Sequence, residues 1–242
     1  MKEYNFDQLI SYCDEKKISV SEHQLNQLAT FYELLVEKNK VMNLTGITEW
    51  DDVMLRHYID SLSIAEIFDL SNFEGKVLDL GTGAGFPGIP LKILFPNLKI
   101  TLFDSLNKRI KFLQEVIDAC GLTSIEAVHG RAEEFGRNSS YRENYDLVVS
   151  RAVANIYTLS EYCLPFVKVG GNFISYKTEN IEEEISESGN AISLLGGRVS
   201  EVKHFKLFES DMDRALLKIE KVKPCGKKFP RKAGLPSKEP LH

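Results

Sequence analysis

The stretch Asp79-Leu80-Gly81-Thr82-Gly83-Ala84-Gly85-Phe86-Pro87-Gly88 decides the fold of this chain. It contains the end of a short apolar run, 76–80, whose composition suits a buried parallel strand. Gly81, Gly83 and Gly85 can adopt positive φ and carry no Cβ, so the turn can be sharp and a ligand can lie against its backbone. A helix begins near Gly88. This strand, glycine turn and helix predict a site for a nucleoside-containing cofactor in an α/β protein.

Asp79, just ahead of the first glycine, indicates the charge of that cofactor. The pattern G-x-G-x-x-G at Gly83, Gly85 and Gly88 also fits a dinucleotide, whose anionic pyrophosphate lies at the helix N-terminus. A carboxylate is an unfavourable neighbour for that group. S-adenosylmethionine instead carries a sulfonium and an ammonium, which a carboxylate attracts. The turn therefore favours S-adenosylmethionine; the alternatives are a dinucleotide and a structural turn without a ligand.

Strand-like and helix-like segments alternate after residue 75. The predicted strands are 76–80, 99–103, 125–129, 145–150, 171–176, 199–207 and 214–221, and the predicted helices are 88–95, 106–120, 156–168 and 179–195. Such alternation is typical of an α/β protein with a parallel sheet. The short link Glu209-Ser210-Asp211 predicts that the last two of the seven strands form an antiparallel hairpin at the sheet edge.

The two ends of the chain differ from this central part. Ser21 and Gln24 form a predicted capping box, and apolar residues follow at helical spacing, so residues 1–70 are predicted to be a helical extension. Residues 71–222 then form the main domain. The last part, 223–242, is a basic tail with four prolines, which should be extended rather than helical.

Three further positions lie where predicted strands end, at the edge of the sheet that binds ligands in such folds. Asp104 follows the second strand and can hold a ribose diol; a solvated acid is the alternative. Ala132 and Glu133, after the third strand, can pair with adenine through a backbone N–H and a carboxylate, although Glu133 also suits a first helical turn. Arg151, after the fourth, can contact a guanine edge, a phosphate, the cofactor carboxylate or a structural partner.

Composition and cysteine positions limit the function further. The 242 residues carry a net charge of −5, and the four cysteines lack the spacing of a zinc site or a disulfide framework, so no metal is predicted. The first ten residues contain no apolar leader segment, and no stretch has the length of a membrane span. We therefore expect a cytoplasmic protein, and we expect a monomer.

The fourth strand bears on the acceptor of the methyl group. The chain continues Ser150-Arg151-Ala152-Val153, without the Asn/Asp-Pro-Pro-aromatic motif of enzymes that methylate exocyclic amines. Cys163 and Cys225 are badly placed to act as the nucleophile that pyrimidine C5 methylation needs. An acceptor that is already nucleophilic, such as guanine N7, needs no general base. No acid or base is therefore assigned, and Arg151 is the positioning candidate.

Seven Lys or Arg and one acid occur between Lys221 and the C-terminus, so an acidic chain carries a basic tail. Electrostatic attraction acts locally, and such a tail can bind RNA phosphates. A solvated charged tail is the alternative. The predicted RNA contacts are Lys227, Lys228, Arg231, Lys232, Lys108 and Arg109. His57 and Asp60, one helical turn apart, could reach the substrate or could belong to the core.

Several of these stretches together resemble the ribosomal RNA small subunit methyltransferase G family, also called glucose-inhibited division protein B. The resemblance lies in Asn43-Leu44-Thr45, 56–62, 79–91, 104–109, 130–134, 150–154 and 230–236. It implies the class I S-adenosylmethionine-dependent methyltransferase fold, which is Rossmann-like. It also implies methyl transfer to N7 of a guanine in 16S rRNA, with naked RNA, a small subunit or an assembly intermediate as partner.

In this family the cofactor contacts fall on positions that are Gly81, Phe86, Ala132, Glu133 and Arg151 here. Thr82 replaces a serine that is commoner in the family and keeps the hydroxyl. Other functions remain open at this point. They are methylation of another RNA, a small molecule or a protein, an NAD-binding oxidoreductase, and a non-catalytic RNA-binding protein.

Overall fold

The computed structural model describes residues 4–151, 154–178 and 181–241. Seven strands form one sheet in the order β3-β2-β1-β4-β5-β7-β6. Their bounds are β1 Lys76–Leu80, β2 Lys99–Asp104, β3 Ile125–His129, β4 Tyr145–Arg151, β5 Val167–Lys177, β6 Gly197–Lys206 and β7 Asp213–Lys221. The first five are parallel, and β7 pairs antiparallel with both β5 and β6. The predicted, mostly parallel seven-stranded sheet with an antiparallel edge hairpin is confirmed.

The helical extension comprises α1 Asp7–Glu15, α2 Glu22–Met42 and α3 Trp50–Val53, a π-helical turn Met54–Ile59, α4 Asp60–Leu62 and a 3-10 turn Ser63–Glu66. The predicted capping box is present. The Ser21 hydroxyl accepts a hydrogen bond from the Gln24 N–H, and the Gln24 side chain accepts one from the Ser21 N–H. Both bonds satisfy N–H groups that a helix start otherwise leaves unpaired, which fixes where α2 begins.

The remaining helices connect the strands or follow the last one. They are α5 Gly88–Leu94, α6 Asn107–Ala119, α7 Ala132–Phe135, α8 Ile156–Cys163, α9 Glu182–Leu194 and α10 Leu235–Lys238. Helix α8 ends earlier than predicted. Pro165 follows closely, and because proline has no N–H it cannot donate the next helical hydrogen bond, to the carbonyl of Glu161. Within the three described segments, no helix is long and apolar enough to cross a membrane.

The sheet separates two apolar clusters. In β1, Val77 belongs to the cluster under the helical extension, α5 and α6, while Leu78 belongs to the cluster under α8 and α9. This alternation follows from the two-residue period of a strand. Phe31 of α2 is fully buried, with its ring centroid 5.1 Å from that of Phe86 and 6.5 Å from that of Phe112. The helical extension thus shares a core with the sheet and positions residues of the glycine turn.

The tail is anchored to the domain and is not extended throughout, so that prediction was wrong. Arg142 donates hydrogen bonds to the carbonyls of Cys225 and Phe229, and α10 follows. Gly234 precedes α10 with a φ of 80°, a conformation that glycine adopts without steric cost. Pro236 lies in the first turn of α10, where its missing N–H has no helical partner to lose.

Candidate active site

Asp79 fastens the glycine turn between β1 and α5. Its buried carboxylate accepts hydrogen bonds through Oδ2 from the Thr82 hydroxyl at 2.6 Å and the Gly88 N–H at 2.8 Å. Gly81, Gly83 and Gly85 have φ values of 75°, 61° and 100°. Sequence reasoning assigned Asp79 only a charge and missed this structural role. Thr82, three residues further on, was the available signal.

Gly88 is required for a different reason. A Cβ on Gly88 would lie 2.3 Å from Cδ2 of Leu102 and 2.7 Å from Oδ2 of Asp79. At Gly83 a Cβ would meet only the Gly81 carbonyl oxygen, at 3.9 Å. The last glycine of the pattern therefore lets α5 approach the sheet, whereas Gly83 leaves its outer side open. An open, left-handed glycine is what close approach of a ligand to the backbone requires.

The other oxygen of Asp79, Oδ1, is buried and has no hydrogen-bond partner among the described residues. Burial raises the pKa of this carboxyl to about 6, because the charged form is disfavoured away from water. An unpaired buried carboxylate oxygen beneath an open glycine turn fits a ligand that carries positive charge. The residues present therefore suit S-adenosylmethionine better than an anionic dinucleotide.

Asp104 and Glu133 come to the same edge of the sheet as the glycine turn. Asp104 is buried and accepts hydrogen bonds from the N–H groups of Gly83 and Leu106 and from Nη1 of Arg109. Its backbone carbonyl accepts the Gly130 N–H at 3.1 Å, which ties the end of β3 to the end of β2. The three strand ends that sequence reasoning selected for the cofactor are therefore neighbours.

Glu133, beside Ala132 at the start of α7, is also buried. Its Oε1 accepts the N–H of Gly234 at 2.8 Å, so the tail reaches the position predicted to bind adenine. Ala152 and Val153, which belong to the motif after β4, lie outside the described residues. The predicted cofactor contacts of Ala132, Glu133 and Asp104 remain predictions.

Arg151, at the end of β4, joins a buried carboxylate of the helical extension. Its Nη1 lies 2.9 Å from Oδ2 of Asp60, and Nε of Arg214 lies 2.6 Å from Oδ1 of the same carboxylate. Asp60 is 8% exposed in its side chain. One carboxylate thus holds two guanidinium groups, one from β4 and one from β7. Arg214 was missed by sequence reasoning, because a strand residue 154 positions from its partner gives no local signal.

His57 and Phe86 complete this cluster. The His57 imidazole stacks on the Phe86 ring at a centroid distance of 4.3 Å, and the Arg151 guanidinium lies 5.1 Å from the same ring. Nη2 of Arg151 is 3.2 Å from Nδ1 of His57, and Nε2 of His57 is 2.9 Å from the Thr45 hydroxyl. Burial, aided by the charge of Arg151, lowers the pKa of His57 to about 3. The imidazole is therefore neutral near pH 7.

Four of the sequence motifs meet in this cluster, through Thr45, His57 with Asp60, Phe86 and Arg151. The sequence left open whether His57 and Asp60 reach the substrate or belong to the core. In the structure both side chains are buried and both contact Arg151. They position the arginine at the sheet edge that also carries the glycine turn.

A cavity of about 520 Å³ lies beside the cluster, between the helical extension, the ends of β4 and β5 and the start of β7. Asp60, Arg151 and Arg214 contribute to its wall. The cavity lining contains neither the glycines of the turn nor Asp104 or Glu133. Arg151 therefore stands between the edge predicted for the cofactor and a second, separate space.

The predicted RNA contacts fall into two groups. Arg231 and Arg109 are bound within the protein. The carboxylate of Glu161, a buried residue of α8, accepts hydrogen bonds from the backbone N–H, Nε and Nη2 of Arg231, and Arg109 pairs with Asp104 at 3.1 Å. The other predicted contacts are exposed; they are Lys108, Lys227, Lys228 and Lys232.

All four cysteines are buried and free. Burial raises the pKa of the Cys163 and Cys225 thiols above the ordinary value, so neither is a ready thiolate near pH 7. Within the described segments, no group of three or more His, Cys, Asp or Glu side chains is placed to hold a metal ion. The site therefore offers positioning by arginine, aromatic and backbone groups rather than a nucleophilic thiol.

Solved structures with a similar fold are known. A crystal structure of MtNAS in complex with MTA and tNA aligns with a TM-score of 0.54 over 79% of this chain and 71% of that chain, at 13% sequence identity. TrmN from Thermus thermophilus aligns with a TM-score of 0.50 over 70% of this chain and 53% of that chain, at 15% identity. At these identities the likeness concerns the fold alone.

Sequence comparison is more specific. A ribosomal RNA small subunit methyltransferase G of Alkaliphilus metalliredigens is 52% identical over 95% of both chains. The protein of the same description from Exiguobacterium sibiricum is 46% identical over 98% of this chain and 99% of that one. The family model for rRNA small subunit methyltransferase G matches residues 24–224. The predicted methyltransferase class and S-adenosylmethionine cofactor are thereby confirmed, and the chain belongs to the rRNA small subunit methyltransferase G family.

Proposed function

We propose that this protein transfers the methyl group of S-adenosylmethionine to N7 of a guanine in 16S rRNA. The names of its relatives support the RNA class, and the resemblance of its motifs to the family supports the acceptor atom. The partner is 16S rRNA, a small ribosomal subunit or an assembly intermediate. The protein acts as a monomer in the cytoplasm.

The proposal that guanine N7 is the acceptor rests on the chemistry of the cluster around Arg151. A base that removes a proton from the acceptor should have a pKa near the working pH. His57, with a pKa of about 3 and its ring stacked on Phe86, is not such a base. The Asp60 carboxylate is held by two guanidinium groups. Guanine N7 has a free lone pair, so positioning is sufficient.

The cofactor supplies an electrophilic methyl group when it is bound. Asp79 would attract its positive charges from below the turn, and the backbone of Gly81 and of the open Gly83 would lie against it. At the neighbouring strand ends, Asp104 would hold the ribose, and Ala132 with Glu133 would pair with adenine. Phe86 keeps the turn in contact with His57 and Arg151.

RNA phosphates would be bound by the exposed cations named above, Lys108, Lys227, Lys228 and Lys232. Arg109 and Arg231 are the least suited of the predicted contacts, since each would first have to leave a carboxylate. This proposal separates two uses of the basic tail. Its lysines face solvent, whereas its arginine attaches it to α8.

The test is incubation of the protein with labelled S-adenosylmethionine and with small-subunit RNA or subunits from cells that lack this modification. The methylated nucleoside is then identified and its position in the RNA is mapped. We expect label in RNA as 7-methylguanosine at one position. Label in another nucleoside would refute the acceptor atom. No label in RNA would favour the alternative, methylation of another RNA or of a small molecule.

A further inference from the structure

We propose that the 520 Å³ cavity beside Arg151 is the pocket that receives the target guanine nucleotide, swung out of the RNA chain, and that Arg56 holds its phosphate. The inference deepens the proposed function and rests on it. The volume of the cavity lies within the range of pockets that hold small ligands. Of the predicted cofactor contacts, all of which are described residues, Arg151 alone lines the cavity. The nucleotide would therefore lie beside the methyl donor without competing for the same space.

Charge is the first argument for a nucleotide. Among the residues that the structure describes, the cavity wall contains four cationic side chains, those of Arg56, Arg151, Lys177 and Arg214, and two carboxylates, those of Asp60 and Glu184. The surplus among these described side chains is two positive charges, in a chain whose net charge is −5. A concave site with excess positive charge raises the local concentration of anions such as a phosphodiester.

Arg56 is the cation of the wall best placed to receive the phosphate. Its side chain is 43% exposed, and Nη1 lies 3.7 Å from the Asp52 carboxylate, an exposed pair one turn away. Such exposed ion pairs contribute little to stability, so the guanidinium can readily leave the carboxylate for another anion. The other cations are held more firmly: Arg214 is bound to Asp60, and Nζ of Lys177 donates to the Ala154 carbonyl and to Glu184. A guanidinium also matches the geometry of two phosphate oxygens.

The rest of the wall suits a purine base. Phe205 and Tyr176 supply aromatic rings, and Leu216 supplies apolar surface. Proteins that recognise single RNA bases stack them on aromatic side chains and bind their edges with hydrogen bonds. Guanine presents the acceptors O6 and N7 and donors on its N2 amino group. Arg214 offers donors to O6, which leaves the N7 lone pair free to attack the methyl group, and the Glu184 carboxylate offers acceptors to the N2 amino group.

Two substitutions test the pocket by different routes. Arg56→Ala removes the proposed phosphate contact but keeps the backbone carbonyl that Arg151 contacts. Ala154→Trp fills the cavity and leaves the charges unchanged. The matched control is Arg198→Ala, because Arg198 is an exposed arginine on β6 that pairs with Glu220 and does not line the cavity. Thermal unfolding and cofactor calorimetry check that each variant is folded and binds the cofactor.

The direct readout is photolabelling with 8-azidoguanosine 5′-monophosphate at saturating S-adenosylhomocysteine, with the labelled peptide identified by mass spectrometry. We expect label on the strands that carry Tyr176 or Phe205, about tenfold less in Arg56→Ala, none in Ala154→Trp and an unchanged amount in Arg198→Ala. Label elsewhere, or no label in the wild type, would overturn the pocket. If Ala154→Trp does not fold, the Arg56→Ala result decides.

Methyl transfer to small-subunit RNA is measured on the same proteins. We expect kcat/KM to fall about tenfold in Arg56→Ala and more than a hundredfold in Ala154→Trp. Transfer by the wild type with unchanged rates in both variants would refute the pocket and leave the proposed function standing. Cavity labelling that responds to both substitutions, without any transfer to RNA, would refute the function and leave the pocket standing.

Discussion

Two arginines of this chain, Arg151 and Arg231, were both predicted from the sequence to contact a ligand, and both are bound to a buried carboxylate. Arg231 is bound to its partner by three hydrogen bonds, since its Nε, its Nη2 and its backbone N–H all donate to Glu161. Arg151 shares its partner with Arg214 and also faces Phe86, His57 and a cavity. An arginine in a specific motif can thus serve the fold or the site, and the groups it faces beyond its carboxylate distinguish the two roles.

The largest effect on stability is expected from Arg231→Ala. The Glu161 side chain is 1% exposed, so this change leaves a buried charge without its cation. Removing one partner of a buried pair costs about 3 kcal/mol or more in the free energy of unfolding. Urea unfolding measures it, with Lys232→Ala as the exposed neighbour that should cost less than about 0.5 kcal/mol. A small stability loss in Arg231→Ala together with a loss of RNA binding would make Arg231 a ligand contact after all.

Arg151→Ala should have the opposite profile. Asp60 keeps Arg214 as its cation, so we expect a smaller loss of stability than in Arg231→Ala. Methyl transfer should fall by about 100-fold in kcat/KM, which corresponds to about 2.7 kcal/mol. Arg151→Lys keeps the charge but loses the planar fork, and should recover only part of the rate. Steady-state kinetics at constant folded fraction measures this, and a loss below threefold would remove Arg151 from the site.

A third, smaller effect isolates the charge of Asp79. Asp79→Asn keeps an oxygen that can accept from Thr82 and Gly88, and removes the carboxylate charge. We expect cofactor affinity at pH 7.5 to fall about tenfold by calorimetry, because a unit charge near another contributes a few kcal/mol at most in a protein. In the wild type the affinity should also fall as the pH drops through about 6, where the Asp79 carboxyl takes up a proton. Equal affinity of both proteins across this range would contradict the attraction.

The same substitution makes a prediction for stability. Burial raises the pKa of Asp79 from 3.8 to about 6, so the folded protein binds more protons than the unfolded chain between these values. Asp79 alone therefore makes the fold more stable as the pH falls through this window. His57, whose pKa is lowered, acts in the opposite direction below pH 6.5. It does so in both proteins, so the difference in unfolding free energy between wild type and Asp79→Asn isolates Asp79.

The smallest effect concerns the tail lysines. Lys227 and Lys228 are exposed, and their joint change to alanine should reduce the salt dependence of RNA binding by about one unit of slope for each phosphate that the variant no longer binds. The matched control is a double change of Lys99 and Lys168, exposed lysines outside the tail, where β2 and β5 begin. Filter binding over a range of salt concentrations measures the slopes. Equal slopes in the two double variants would place the RNA-binding surface elsewhere.

The fold was largely predictable because alternating strands and helices leave a strong local pattern. The errors have local physical causes. Strand β5 begins at Val167 rather than at residue 171, since Val167 pairs with Tyr145 before a register shift and the strand continues through exposed Lys168 and Gly170. Helix α10 was missed because prolines usually argue against helix, and only Gly234 in the left-handed region allows this short one.

The sequence predicted which residues come to one edge of the sheet, and it did not predict the contacts that they make there; their roles in binding remain predictions. The glycine turn, Asp104, Glu133 and Arg151 were selected because parallel strands end at one edge. The pairing of Asp60 with both Arg151 and Arg214 joins residues far apart in sequence, and no periodicity records such a contact. The same holds for Arg231 in the tail, whose partner Glu161 lies 70 residues earlier, in α8.

The central claim is that the methyl group passes to an acceptor which needs no general base, held beside Arg151. The pH dependence of the single-turnover rate tests it most directly, with cofactor and RNA saturating between pH 6.5 and 8.5. His57, with a pKa of about 3, remains neutral throughout this range, and the pKa of Asp79, about 6, lies below it. We predict a rate that changes less than about twofold. A rate that rises about tenfold for each pH unit would show that a base removes a proton in the transition state, and would contradict the claim.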